Sequence, residues 1–173
     1  MIAGGGPDAF GYIWKDSNDP GGPAVNWVDT TAAWTHVTGL ADDNSVGLFN
    51  IGFSFRYYWS NYTKFKIGSN GWISFDNVPN VAHCFPTLPT PGGAGDNLIC
   101  PLMGDLNFLS SFPQFPNVGD VYYWSNNVDS LIVSYYNVPF WVSAVPDWEG
   151  SNTFQVLFSG VDLIFFFNDM ETY

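Results

Sequence analysis

Along Tyr62-Thr63-Lys64-Phe65-Lys66-Ile67 apolar and polar residues alternate, so Phe65 and Ile67 share one face of an extended strand while Lys64 and Lys66 share the other. A second short run, 72–76, follows after Asn70-Gly71, the dipeptide that most readily takes positive φ at both corners of a two-residue turn. The pattern predicts a β-hairpin over 64–76, with Asn70-Gly71 setting register and doing nothing chemical. Similar runs recur at 9–14, 24–28, 47–56, 98–104, 120–125, 130–138, 153–159 and 162–167. Asp-Pro-Gly-Gly, Ser-Asn-Tyr, Pro-Gly-Gly and Asn-Asn-Val-Asp stand between them as turn chemistry. About ten strands joined by short connections and two longer loops predict an all-β chain. The expected form is a two-sheet antiparallel β-sandwich, jelly-roll-like, with no long helix.

Composition supports that reading and narrows the partners. Of the 16 acidic residues 14 are Asp, which favours turns, and only Glu149 and Glu171 are Glu. Lys15, Arg56, Lys64 and Lys66 are the only Lys and Arg, so the net charge is −12. Such a chain repels phosphate backbones and anionic membranes, which excludes nucleic acid as a partner. Aromatic residues make up 19% of the chain, too many for a solvated acidic tail. The densest apolar run, Leu163–Phe167, is a strand's worth and far short of a membrane span.

Cys84 and Cys100 flank a segment rich in Pro and Gly. A disulfide closing this loop is the favoured reading; in the chain-entropy model it stabilises by roughly 3 kcal/mol. A redox or zinc site is the alternative, with His83 beside Cys84, but a fourth ligand at usual spacing is missing.

Three places offer ligand chemistry. Asp16-Ser17-Asn18-Asp19-Pro20-Gly21-Gly22 sets the oxygens of Asp16, Asn18 and Asp19 ahead of a glycine turn, as a calcium loop does, although the EF-hand spacing is absent. The same residues suit an Asx turn capped by its own backbone. Asp42-Asp43-Asn44 contributes to this site or forms a second such loop. In 141–150, Trp141, Asp147, Trp148 and Glu149 combine flat rings with carboxylates, the chemistry of a sugar site; rim packing of loop tryptophans is the favoured reading, and a glycosidase pair the most demanding alternative. Nucleophilic catalysis lacks its signature: His36 and His83 stand in unrelated contexts and no Gly-x-Ser-x-Gly elbow occurs.

From residue 50 onward the order of motifs carries more. The stretch IGFSFRYYWSNYTKFKIGSNGWISF resembles the strand, aromatic turn, strand, SNG, strand opening of a nidogen-like extracellular β-sandwich. NLICPLMGDLNF resembles that group's apolar-Pro-apolar segment, and GDVYYW, SLIVSYYNVPFW, NTFQVLFS and LIFFF follow in order. The resemblance implies one β-sandwich domain over 1–173, with N-terminal strands and loops at 1–45 and a nidogen-like core at 46–173. It also puts Asp105 at the family's Asp position, where a buried Asp hydrogen-bonding loop amides is the favoured reading and a metal ligand beside Asn107 the alternative. Related sandwiches occur in large surface proteins that bacteria export by the type IX route. By that likeness the chain is expected to be a secreted or cell-surface piece of a longer polypeptide, its leader lying outside this sequence. Asp29-Thr30-Thr31 and Asp129-Ser130-Leu131 resemble the O-glycosylation signal of the same group, and Asn61-Tyr62-Thr63 fits the N-glycan acceptor pattern.

Together these readings predict a non-catalytic extracellular module serving adhesion, spacing or assembly, with calcium as its one candidate cofactor. Expected partners are other surface proteins, a second copy of the chain, or glycans, without nucleic acid or membrane insertion. A carbohydrate-binding module is the alternative and a secreted hydrolase domain the third.

Overall fold

The computed structural model describes residues 4–24, 26–75, 97–115, 118–160 and 162–170. Among the described residues eleven strands are present: β1 (Gly4–Gly5), β2 (Trp14–Lys15), β3 (Thr35–Val37), β4 (Ser45–Tyr57), β5 (Ser60–Gly68), β6 (Ile73–Ser74), β7 (Leu98–Ile99), β8 (Asp120–Ser125), β9 (Ser130–Trp141), β10 (Trp148–Ser159) and β11 (Asp162–Met170). They form a five-stranded sheet ordered β11-β10-β9-β8-β3, a four-stranded sheet β4-β5-β6-β7, and a small ribbon β1-β2. All strand pairs are antiparallel, and within each large sheet consecutive strands are neighbours, with β3 added beside β8.

The two large sheets share one core. Ile51, Phe55, Phe65, Ile67 and Ile73 of the four-stranded sheet pack with Val121, Val133, Tyr135, Phe154, Val156 and Phe158 of the other. Phe55 meets Phe158 edge-on at 5.3 Å between centroids, and Phe65 meets Tyr123 at 5.4 Å, the geometry the ring quadrupoles favour. Phe65 and Ile67 face this core, as their alternation with Lys64 and Lys66 predicts. The all-β sandwich is the observed fold.

Several predicted boundaries move, each for a local reason. The run 9–14 forms a strand only at its end, because Asp8 Oδ1 accepts the N–H groups of Phe10, Gly11 and Tyr12 at 2.9, 2.8 and 2.9 Å and curls the chain. Residues 26–28 are no strand. Instead Gln155, buried in β10, binds Val28 on both sides: its Nε2 donates to the Val28 carbonyl at 2.5 Å and its Oε1 accepts the Val28 N–H at 3.2 Å. A side-chain amide thus replaces a strand neighbour and lays this segment on the sheet's outer face, where Trp27 stands edge-on to Tyr136 at 5.9 Å. The run 98–104 stops pairing after Ile99, before Pro101, which has no N–H to offer a ladder. The chain then crosses to the other sheet, where Leu106 bridges Phe140. The strand β3 escaped the pattern because it is three residues long.

Candidate functional site

The Asn70-Gly71 turn departs from its predicted form. Gly68 N–H donates to the Trp72 carbonyl at 2.8 Å, leaving a three-residue loop, Ser69-Asn70-Gly71. Only Gly71 takes positive φ, at 72°, as in three-residue hairpins whose last loop residue is left-handed. A Cβ on Gly71 would also collide with the Leu102 carbonyl, so this glycine is fixed twice over. The loop is buried, and its polar atoms face inward. Tyr135 from the opposite sheet donates its buried hydroxyl to the Gly68 and Trp72 carbonyls, at 3.1 and 3.3 Å.

Two neighbouring segments hang on this loop. Ser69 and Asn44 exchange hydrogen bonds: Ser69 N–H and Oγ donate to the Asn44 carbonyl at 2.9 and 3.0 Å, and Asn44 N–H donates to Ser69 Oγ at 2.9 Å. Asn44 in turn holds Gly39 and Ala41. Asn70, only 1% exposed, donates its amide N–H to Asp43 Oδ1 at 2.8 Å and accepts the Leu106 N–H at 2.9 Å. The segment 105–107 is fixed a second time by β9: Trp141 N–H donates to the Asp105 carbonyl at 2.7 Å, and Asn107 N–H to the Pro139 carbonyl at 3.1 Å.

The result is a convergence of acids. Asp42, Asp43 and Asp105 each present a carboxylate oxygen within 4.8 Å of the others. Burial pushes the Asp42 carboxyl up to about 6, and the charges of Asp43, Asp105 and Asp147 push the same way. Asp42 Oδ1 is closed off from solvent without a hydrogen-bond donor. Three like charges so placed favour a cation or a proton among them. Among the described residues this is the one acidic group arranged to hold a metal, and Asp105 enters it with Asp42 and Asp43 and without Asp16 or Asp19. The Asp16 loop is an Asx turn: Asp16 Oδ1 accepts the Asn18 N–H at 2.7 Å, and its carbonyl accepts the Asp19 N–H at 3.2 Å.

The region 141–150 is ordered differently from a flexible loop. Trp141 ends β9 and Trp148 opens β10, directly opposite each other, while Glu149 opposes Phe140 and so points to the other face. Asp147 is 4% exposed and fully engaged. Ser110 Oγ donates to its Oδ1 at 2.5 Å, and Ser111 donates to its Oδ2 from Oγ at 2.6 Å and from N–H at 2.7 Å. The serine hydroxyls, Ser110 first, hold the carboxyl down at about 2. Asn107 Nδ2 donates to the Asp147 carbonyl at 3.0 Å, so this aspartate clasps 105–111 to the start of β10. It joins segments, and its burial keeps the carboxylate from the surface, where a sugar would meet it. The Trp148 indole N–H is buried without a partner.

Cys84 and His83 lie outside the described residues. Cys100 is half-buried, and burial pushes its thiol up to about 11. Arg56 places its guanidinium 5.4 Å from the Phe10 ring centroid and donates Nε–H to the Tyr58 carbonyl at 3.2 Å.

A family model described as NIDO related matches residues 24–156 of the chain. Neither the curated proteins nor the solved structures give a significant match. The matched span takes in both large sheets from β3 to most of β10, the Asn70 loop and the acidic group. Such domains are modules of extracellular proteins, in agreement with the sandwich and with the resemblance carried by the motifs from residue 50 onward. By this match the chain belongs to the nidogen-related (NIDO-related) family.

Proposed function

We propose that the protein is a non-catalytic extracellular module that works by association, pairing through the β11 edge with a second copy of the chain. One observation carries the reading. Phe165 and Phe167 oppose Val156 and Phe154, which are buried in the core, so they stand on the core-facing side of the sheet. Yet they remain 41% and 50% exposed, and β11 has no neighbour on its outer side among the described residues. The four-stranded sheet does not reach over them. An apolar, unpaired strand edge is a template for another strand.

Self-pairing suits the sequence. Antiparallel pairing about Phe166 sets Phe165 against Phe167 of the second copy, Leu163 against Asp169, and Asp162 against Met170, with no acid opposite an acid. With a net charge of −12 the copies repel at long range, so salt should strengthen the dimer. Light scattering over a dilution series tests the reading: a mass rising towards two chains supports it, and a strict monomer at every concentration and salt level refutes it.

A second reading concerns the cofactor. The buried, donorless Asp42 Oδ1 beside Asp43 and Asp105 favours a calcium ion that joins the 39–44 and 105–107 segments across Asn70. Calcium takes six to eight oxygens, so carbonyls or water would complete the set. A chelator that lowers the melting temperature, reversed by calcium, is the expected result.

A further inference from the structure

We propose that the tip of the β4–β5 hairpin binds a neutral pyranose polysaccharide, with the Trp59 indole as the stacking face and the Asp8–Tyr58 pair as the hydrogen-bonding edge. This goes beyond the association reading and lies on another element. It also differs from the 141–150 region, whose Asp147 is buried against Ser110 and Ser111 whereas Asp8 is exposed.

Tyr57 pairs with Ser60, so Tyr58 and Trp59 alone form the turn. Trp59 is 73% exposed. Its ring is nevertheless fixed: it stacks on Tyr58 at 5.8 Å with 30° between planes, and Phe10 meets it edge-on at 5.3 Å. Phe10 and Tyr58 both touch Tyr12, and Tyr57 touches Tyr58 and Tyr12, so the exposed indole tops a continuous cluster of rings. A ring held from the side and back loses little freedom when a ligand covers its open face.

The cluster is held from beneath. Asp8 Oδ1 gathers three N–H groups of its own loop, and the exposed Asp8 carboxylate also receives the Tyr58 hydroxyl. Arg56 covers Phe10 and binds the Tyr58 carbonyl. Tyr58 keeps φ at 50°, a left-handed conformation that is unfavourable for a non-glycine residue. The surface therefore offers one flat apolar ring rimmed by a carboxylate, phenol hydroxyls and the exposed Ser60 and Asn61. A pyranose fits that layout, since its C–H face stacks while its hydroxyls bond outward. A protein partner would need a broader apolar patch. The net charge of −12 disfavours anionic glycans.

Affinity electrophoresis tests the proposal on native gels containing β-1,3-glucan, mannan, xyloglucan or hydroxyethyl cellulose, with heparin as the anionic comparison. The expected result is retardation in at least one neutral gel and none in heparin. Trp59→Ala should weaken that retardation at least tenfold with an unchanged melting temperature, and Trp59→Tyr should keep part of it. Phe165→Lys/Phe167→Lys should still be retarded, which separates this site from the β11 edge. No retardation in any neutral gel overturns the proposal, as does retardation that Trp59→Ala leaves intact. A Trp59→Ala variant that changes only oligomeric mass would mark the tip as a protein contact and overturn it equally.

Discussion

Asn70 donates its side-chain amide to Asp43 at 2.8 Å while its carbonyl oxygen accepts the Leu106 N–H at 2.9 Å. One buried turn residue thus joins two loops that lie far apart in sequence. Replacing it by Ala leaves the buried Leu106 N–H without its acceptor and takes a donor from the exposed Asp43 carboxylate. The cost should be about 2 kcal/mol, read as a lower denaturant midpoint with an unchanged m-value. Asn70→Asp should be worse, because it adds a charge beside Asp43.

The acidic group should make stability depend on pH through Asp42. Its folded pKa, raised to about 6, exceeds its ordinary value of 3.8. Folding therefore opposes ionisation, and this group's contribution to stability falls as pH rises from about 4 to about 6. In chelator at pH 7, Asp42→Asn should melt higher than the natural protein by roughly 3 °C, for about 1 kcal/mol after solvent screening. The difference should vanish near pH 4. The same variant should lose any melting shift produced by calcium. A natural protein indifferent to both chelator and calcium would leave the group held by protons and hydrogen bonds alone.

Asp147 has the opposite sign. Its carboxyl, held down at about 2 by Ser110 and Ser111, contributes stability that is present above its ordinary value of 3.8 and is lost as pH falls through about 2. Asp147→Asn should lower the melting temperature by roughly 5 °C at pH 7, with no loss of retention on neutral glycan gels. Loss of retention at an unchanged melting temperature would instead assign Asp147 to ligand binding.

How far the chain could be read from its sequence follows from range. Alternation is a local signal, and it located β5, β8 and β9 because Phe65, Ile67, Val121, Leu131 and Val133 recur with a period of two. Asn70-Gly71 was legible as a turn, but its burial was not, because that depends on Asn44, Leu106 and Tyr135 arriving from elsewhere. The acidic group was half legible. Asp42-Asp43 and Asp105 stood out separately, and only the fold brings them within 4.8 Å. Gln155 gave no signal, since a lone amide in an apolar strand does not announce that it will hold Val28. The Trp59 tip was hidden in plain turn chemistry, its significance resting on the distant Asp8 and Phe10.

Cys84 and Cys100 flank one loop of a chain with no other thiol. If they are bonded, thiol labelling under denaturing, non-reducing conditions should find no free sulfhydryl. Two labels per chain would show the pair reduced. In the reduced, folded protein Cys100 should label slowly at neutral pH, because its thiol, pushed up to about 11, supplies little thiolate.

The measurement closest to the central claim is light scattering on Phe165→Lys/Phe167→Lys beside the natural protein. Both side chains lie on the open margin of β11, whereas Phe166, the residue between them, is 5% exposed and unsuited to the test. The natural protein should be a dimer that tightens with salt. The variant should be a monomer at the same concentrations, with an unchanged strand signal in circular dichroism. A variant that stays dimeric, or a natural protein that is monomeric throughout, would contradict association through the β11 edge.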